Sequence, residues 1–451
     1  MKQMKQFKVI AVIFTVLLGV MIFSGCSQTA PPADTTTGGD TTATTPATPS
    51  GQPTSIKIGI LNPTTGPLAG MGEGTPFLDD YFKDYINNTL GGIKMSDYDS
   101  PLPVETVLYD TESNPDKVSD LTTKLITDDK VNIIITRHTP DTVVPATVVA
   151  EQYGVPCIAM DCPSGAWLGQ GDHKWSFLAH TSAQSYWDAY SSIWEAAGYK
   201  AGDANATLGW VFADDLDGTT LSPDYAACAT AAGYKMLDPG LYASGTNDYS
   251  SLIKQFKDAN IEVVFGVMNN PEFATFWTQC LQNNFKPKVV VIGKAFMLES
   301  QAMAIGATLM DGICNEVWWD VHFPYTSSLM GWTCMQYGDW YNQQTGLTAA
   351  SPQGAKLASW EILIDALNRS ANVDPDSIRQ ALLATDLDTI MGHINYTTTD
   401  NPNYCPLACV GGQWILQPDG SLKQEIVGNP DPSNGIPITA PIKTSGFAWD
   451  K

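Results

Sequence analysis

The chain has 451 residues, 43% of them hydrophobic, and a formal net charge of -23 at pH 7. Such acidity argues against nucleic acid as a partner and against electrostatic docking on anionic lipid, but it says little about a small ligand, whose site is set by a few local groups. Only five histidines occur, with no G-x-S-x-G, H-E-x-x-H or phosphate-loop pattern, so neither an enzyme nor a bound cofactor or metal is expected.

Residues 1–25 read as an export signal. Lys2, Lys5 and Lys8 precede the apolar run 9–23 (VIAVIFTVLLGVMIF), which is short for a bilayer span, and Ser24, Gly25 and Cys26 follow at once. A Cys after two small residues resembles a bacterial lipobox, with Phe23 where that motif usually has Leu. The resemblance implies a lipid on Cys26, anchorage to the bacterial cell membrane and removal of the residues before it. An uncleaved anchor is the alternative; either way the body of the chain lies outside the cytoplasm. Losing three lysines takes the net charge from -23 to -26. The Thr/Pro-rich stretch that follows has almost nothing apolar beyond alanine, so 26–55 reads as the lipidated Cys and a disordered tether.

Strand and helix patterns then alternate. Segment 56–61 (IKIGIL) reads as a buried strand, 62–74 as a loop, and Phe77, Leu78, Tyr81, Phe82, Tyr85 and Ile86 stripe a helix over 76–90. The next strand is 104–109. Asn114-Pro115 is a helix start, a capping side chain followed by the residue best tolerated at the first position. Strand 131–135, a helix over 142–153 stopped by Gly154, and strand 155–159 follow. The pattern restarts with strand 207–212, a helix over 223–232, a helix capped by Asn247, strand 263–267, a helix over 271–283 and strand 289–292. Such alternation means βαβ units and parallel sheets covered on both faces. Two sets of units in roughly 395 residues predict two similar lobes. Aromatic residues crowd 318–341, helices are expected at 354–369 and 375–385, and 411–427 reads as a hairpin turning at Pro418-Asp419-Gly420. The Pro-rich tail 428–451 is expected to wrap the surface. Eight cysteines beyond Cys26 permit disulfides outside the cell; Cys405 and Cys409 are close enough to pair within one loop, and Cys157 reads as a buried thiol.

The opening strand and loop, Ile58-Gly59-Ile60-Leu61-Asn62-Pro63-Thr64-Thr65-Gly66-Pro67-Leu68-Ala69, resemble those of type I periplasmic binding proteins, in the Leu/Ile/Val-binding branch of ABC importers. Asp110 to Pro115 with its helix, Tyr153-Gly154-Val155-Pro156, Gly245 to Ser250 and Met391-Gly392-His393-Ile394 resemble later segments of that family in the same order. The resemblance implies an α/β fold of two Rossmann-like lobes, parallel sheets flanked by helices, joined by three hinge crossings near 179–183, 316–324 and 391–397. Lobe 1 would then comprise 56–179 plus 318–393, and lobe 2 would comprise 180–317 plus 394–427. It further implies a lipoprotein that captures a small organic solute, an amino acid or related carboxylate, in the cleft between lobes and delivers it to ABC permease subunits. A ligand sensor that does not transport is the alternative.

Candidate ligand contacts lie in loops that follow the carboxyl ends of strands. Met71 falls where the family places an aromatic near the ligand, with a core methionine as the other reading. Hydroxyls at Thr139, Thr142 and Ser164 stand beside Pro140 and Pro163, which occupy the slots that hold an α-carboxylate in amino-acid binders, so that clamp is not intact. Asp161 and Cys162 share the third loop, and Asn269, Asn270 and Glu272 follow strand 263–267. Lys294 stands beside the slot that usually supplies a carboxylate for the ligand's ammonium, which favours an anionic ligand unless the lysine is merely solvated. Arg137, His138 and His180 are further anion candidates; Asp161 and Asp214 would instead serve a cation.

Overall fold

The computed structural model describes residues 52–450; the export signal, Cys26 and the tether up to 51 lie outside the described residues. Strand β1 (Ile56–Asn62) is buried along almost its whole length, as a run apolar on both faces must be, and β2 (Val104–Asp110) and β3 (Ile133–Arg137) flank it in parallel. Helices α1 (Thr75–Asp84) and α2 (Pro115–Thr127) connect them. The Asn114 side chain accepts from the Asp116 N–H at 3.0 Å and Pro115 takes the first helical position, so α2 starts where the sequence places it. Helix α3 (Pro140–Tyr153) ends at Gly154, whose φ of 70° is a left-handed cap that costs glycine no Cβ clash. Strand β4 (Cys157–Met160), the short helix α4 (Ser164–Leu168) and β5 (Ser176–Ala179) complete the first series.

The second series opens with α5 (Ala183–Ala196) and continues through β6 (Thr207–Phe212), α6 (Leu216–Ala232), β7 (Lys235–Leu237), α7 (Ser250–Asp258), β8 (Val263–Val267) and α8 (Asn270–Gln282). It closes with β9 (Val289–Gly293), α9 (Glu299–Ile305), α10 (Ala307–Met310) and β10 (Cys314–Val317). The chain then returns to the first unit with α11 (Cys334–Thr345), α12 (Ser351–Arg369) and α13 (Pro375–Leu383); α12 packs on α1, β3 and β4. A small hairpin, β11 (Asp386–Thr389) with β12 (Gly392–Asn395), precedes β13 (Tyr404–Cys405), which extends the first sheet beside β5. A last hairpin, β14 (Val410–Leu416) and β15 (Leu422–Gly428), adds antiparallel to β10. The first sheet runs β13-β5-β4-β3-β1-β2 and the second β15-β14-β10-β9-β8-β6-β7.

Some expectations need correction. Helix α6 begins at Leu216, not 223, because Asp215 caps it (Oδ1 accepts from the Gly218 N–H at 2.8 Å) and Pro223 lies inside. The third crossing falls at 406–409 rather than 391–397, and the chain stays with the first unit past 394. Two bonds hold it there: Asn403 Nδ2 donates to the His173 and Ser176 carbonyls, while β13 pairs with β5. The three crossings run side by side: the His180 N–H donates to the Cys405 carbonyl, the Leu407 N–H to the His180 carbonyl, and the His180 and Trp318 rings meet edge to face at 5.0 Å. Cys405 and Cys409 are both free thiols, as are the other six cysteines among the described residues. They bracket the third crossing, and the Cys405 sulfur accepts from the Asn395 N–H instead.

The tail packs on the second unit around buried Asp311. Its carboxylate holds the Lys443 ammonium at 2.6 Å and the Ala448 N–H at 2.8 Å, its carbonyl accepts from Trp449 Nε1, and the Trp449 ring meets Trp277 edge to face.

Candidate functional site

In a parallel sheet the strand-to-helix loops all emerge at the carboxyl edge. Here the loops after β1, β3, β4 and β5 face those after β6, β8, β9 and β10, and between them lies a cavity of at most about 360 Å³, mouth included. The first unit contributes Met71, Thr139, Asp161, Pro163 and His180. The second contributes Tyr186, Tyr190, Asp217, Leu221, Tyr225, Val267, Lys294, Glu316 and Trp318. Two hydrogen bonds bridge the units at the rim: Ser300 Oγ donates to Glu73 Oε2 at 2.7 Å, and Thr348 Oγ1 to Glu299 Oε2 at 2.6 Å. The cleft is therefore closed.

Backbone strain concentrates here. His138, Thr139, Asp161 and Lys294 have φ values of 71°, 70°, 59° and 68°, left-handed conformations that cost a non-glycine residue about 1–3 kcal/mol each. The surroundings enforce them. His138 Nδ1 lies 2.5 Å from Asp161 Oδ2, and the Thr139 N–H donates to the Asp161 carbonyl at 2.8 Å, lacing two loops together. Behind them, Arg137 pairs with Asp79 at 2.7 Å, and the Lys356 ammonium donates to the Met71 carbonyl at 3.0 Å, fixing the loop that carries Met71. Burial, reinforced by the Arg137 guanidinium, lowers the Lys356 pKa.

The opposite wall is an ion cluster. Lys294 Nζ lies 2.6 Å from Asp217 Oδ2 and 3.5 Å from Asp215 Oδ2. Burial works against this ammonium, but Asp217, Asp215 and Asp141 outweigh it and raise its pKa. Glu316 accepts from Tyr190 Oη at 2.9 Å and from the Lys294 N–H at 3.1 Å, and burial pushes its carboxyl up to about 7. Burial also raises Asp161 and Asp217 above the usual carboxylate range. His180, bonded to Tyr186 Oη at 2.8 Å, is pushed down to about 3 by burial and stays neutral. Four cavity-lining polar atoms have no partner among the described residues: Thr139 Oγ1, His180 Nδ1, Tyr225 Oη and Trp318 Nε1. Buried polar atoms are ordinarily paired, so such a group in a cavity wall points at a ligand.

Of the residues singled out from sequence, the structure brings Met71, Thr139, Asp161, His180 and Lys294 together in the wall. Pro140, Thr142, Cys162, Ser164, Asn269 and Asn270 stand outside it. Pro140 is the first residue of α3, Asn269 caps α8, and Asn270 spends its amide on the Ala295 and Gln301 carbonyls. Glu272 accepts from the Gly245 N–H and Tyr242 Oη, a structural role. Lys294 is not a free anchor for an anion, because Asp217 and Asp215 neutralise it. The carboxylates facing the cavity are Asp161, Asp217 and Glu316; Asp214 is exposed. Tyr186, Tyr190 and Tyr225 escaped the sequence reading because aromatics on helices look like core, and Trp318 because it opens the aromatic crowd at 318–341. Glu316, an acid inside a buried strand, was a signal that could have been used.

Residues 55–412 match the family model described as periplasmic binding protein. Among curated proteins the chain is similar to the Leu/Ile/Val-binding protein homolog 7 of Brucella abortus, 23% identical over 389 residues that cover 82% of this chain and 93% of the relative. Among solved structures, the branched-chain amino acid transporter substrate binding protein LivJ from Streptococcus pneumoniae, in complex with isoleucine, superposes with a TM-score of 0.67 at 16% identity, covering 83% of this chain and 99% of that one. A solute binding protein of an ABC transporter from Rhodopseudomonas palustris, in complex with 3,4-dihydroxy benzoic acid, superposes with a TM-score of 0.64 at 17% identity, covering 84% and 100%. At these identities the structural matches establish the fold. The relatives are solute-binding proteins, not enzymes.

Proposed function

We propose, from the premise that the chain belongs to the periplasmic binding protein family, that it is the extracytoplasmic solute receptor of an ABC importer, held to the membrane by a lipid on Cys26. It captures a small organic solute, an amino acid or a relative of one, between its two units and delivers the closed form to permease subunits. The observation that carries this reading is the closed interlobe cavity, whose walls contain buried polar atoms with no protein partner. Its empty space, at most about 360 Å³ with the mouth included, limits the guest to a small molecule. Closure by hinge motion also supports the reading, since bonds such as Ser300–Glu73 form only when the units meet, and a transporter needs a feature that distinguishes loaded from empty receptor.

Mass spectrometry of the small molecules released on denaturing the purified protein tests the reading. A stoichiometric organic solute is expected; finding none, together with no thermal stabilisation by any of a broad solute panel, would contradict it. The anchor is tested separately: metabolic labelling with a fatty acid should mark the chain, and Cys26→Ala should abolish the label.

A further inference from the structure

We propose that the cleft selects a positively charged amine, and that the carboxylate of an amino acid is not needed for binding; the inference rests on the solute-binding reading above. Three carboxylates, Asp161, Asp217 and Glu316, line the cavity against one ammonium, that of Lys294, which Asp217 and Asp215 already hold. Among the described residues, no other lysine or arginine lines the cavity to receive an anion. Arg137 is paired with Asp79, Lys356 is committed to the Met71 carbonyl, and neither lines the cavity. The helix N-termini that point at the cleft are likewise answered from within: α3 carries Asp141 in its first turn, and α6 carries Asp217 there and Asp215 at its cap. An anionic solute would meet a surface whose positive groups are used up.

A cation meets the reverse. Asp161 Oδ1 and Asp217 Oδ1 have no hydrogen-bond partner among the described residues, although each carboxylate uses its other oxygen. Tyr186, Tyr190, Tyr225 and Trp318 form a contiguous aromatic wall, with Tyr190 and Tyr225 edge to face at 6.0 Å and Tyr186 and Trp318 edge to face at 6.3 Å. Aromatic faces attract ammonium groups, most strongly where water is excluded. The unpartnered Trp318 Nε1–H asks for one acceptor on the solute, and Tyr225 Oη can supply or receive a second bond. The solute is thus a small monocation with one hydroxyl, ether or carbonyl oxygen or a π-face nearby.

The test uses the full mature chain, stripped of solute by reversible unfolding, and matched sets that differ by one charged group. One set is leucine, isoamylamine and isocaproate; another is tyrosine, tyramine and phloretate; a third is choline and its uncharged carbon analogue neohexanol. Calorimetry should find at least one amine that binds at least about tenfold more tightly than its amine-free partner, with the amino acid gaining less than about tenfold over the amine. Asp161→Asn should weaken that amine by about tenfold or more; if this variant does not fold, by circular dichroism, Asp217→Asn serves in its place. An acid that binds as well as its matched amine, or an amine indifferent to the folded variant, overturns the inference. Release of an anionic or neutral solute from the purified protein also overturns it and leaves the receptor reading standing, whereas release of a cationic one supports it. If nothing binds and nothing is released, both readings fall.

Discussion

Replacing Lys294 with Met removes the one ammonium of the cavity wall from a pair in which neither side chain is more than 7% exposed. Removing one partner of such a pair typically costs about 3–5 kcal/mol, because the other is left as an uncompensated buried charge. Here the cost falls at the lower end, about 3 kcal/mol, since Asp217 already has a raised pKa from burial and can take up a proton instead of staying charged. Asp217→Asn costs less, about 1–2 kcal/mol, because Asp215 still faces the ammonium at 3.5 Å. The double variant Lys294→Met, Asp217→Asn removes both charges and recovers part of the stability, giving a coupling energy of about 2–3 kcal/mol. Urea unfolding of the solute-free protein, followed by tryptophan fluorescence, measures all four corners of the cycle. If Lys294→Met shifts stability by less than about 0.5 kcal/mol, the size of an ordinary surface substitution, then the lysine is solvated and free to hold an anion. That result would refute the account of the cleft's charge.

Other outcomes follow from the same structure. Asp311→Asn frees the tail, and the lost charge-assisted bonds to Lys443 and the Ala448 N–H should cost about 1.5–3 kcal/mol in urea unfolding, with earlier proteolysis of the last residues. Ser300→Ala and Thr348→Val each remove one bond across the exposed rim, about 0.5–1 kcal/mol, and should speed solute release on the order of two- to fivefold in stopped-flow fluorescence without changing the unfolding midpoint of the empty protein. Burial raises Glu316 and Glu361 to about 7 in the folded chain, above the ordinary 4.5 of a free glutamate. The folded state then binds more protons than the unfolded one, so stability falls as pH rises from about 4.5 to about 7, by up to ~1.4 kcal/mol per unit from each group, and levels off above. Glu316→Gln should flatten that slope by one group's share, and an unchanged slope would contradict the raised value.

The sequence made the architecture legible where burial and capping leave local marks. IKIGIL at 56–61 must be covered on both faces, and Asn114-Pro115 can hardly be anything but a helix start; both stand as read. Its failures have physical causes too. Strand β13 is two residues long and exists only because β5 offers an edge, so nothing local announces it, and the third crossing was misplaced with it. Pro223 looked like a helix start because proline is common at the first position, yet Asp215 had capped the helix earlier. In the cleft, the loops were found because topology places them, but not the helix faces that look onto the cavity. The left-handed backbone at His138, Thr139, Asp161 and Lys294 leaves no trace in residues that are not glycine. Lys294 illustrates the limit best: its position was readable, but its meaning depended on Asp217, 77 residues away along the chain.

The most direct test is a crystal structure of the protein grown with the solute that it releases. The account predicts density for one solute molecule bounded by Asp161 on one unit and by Tyr225 and Trp318 on the other, with the Ser300–Glu73 bond made. A solute seated on the outer surface, or units that stay apart when it is bound, would contradict it.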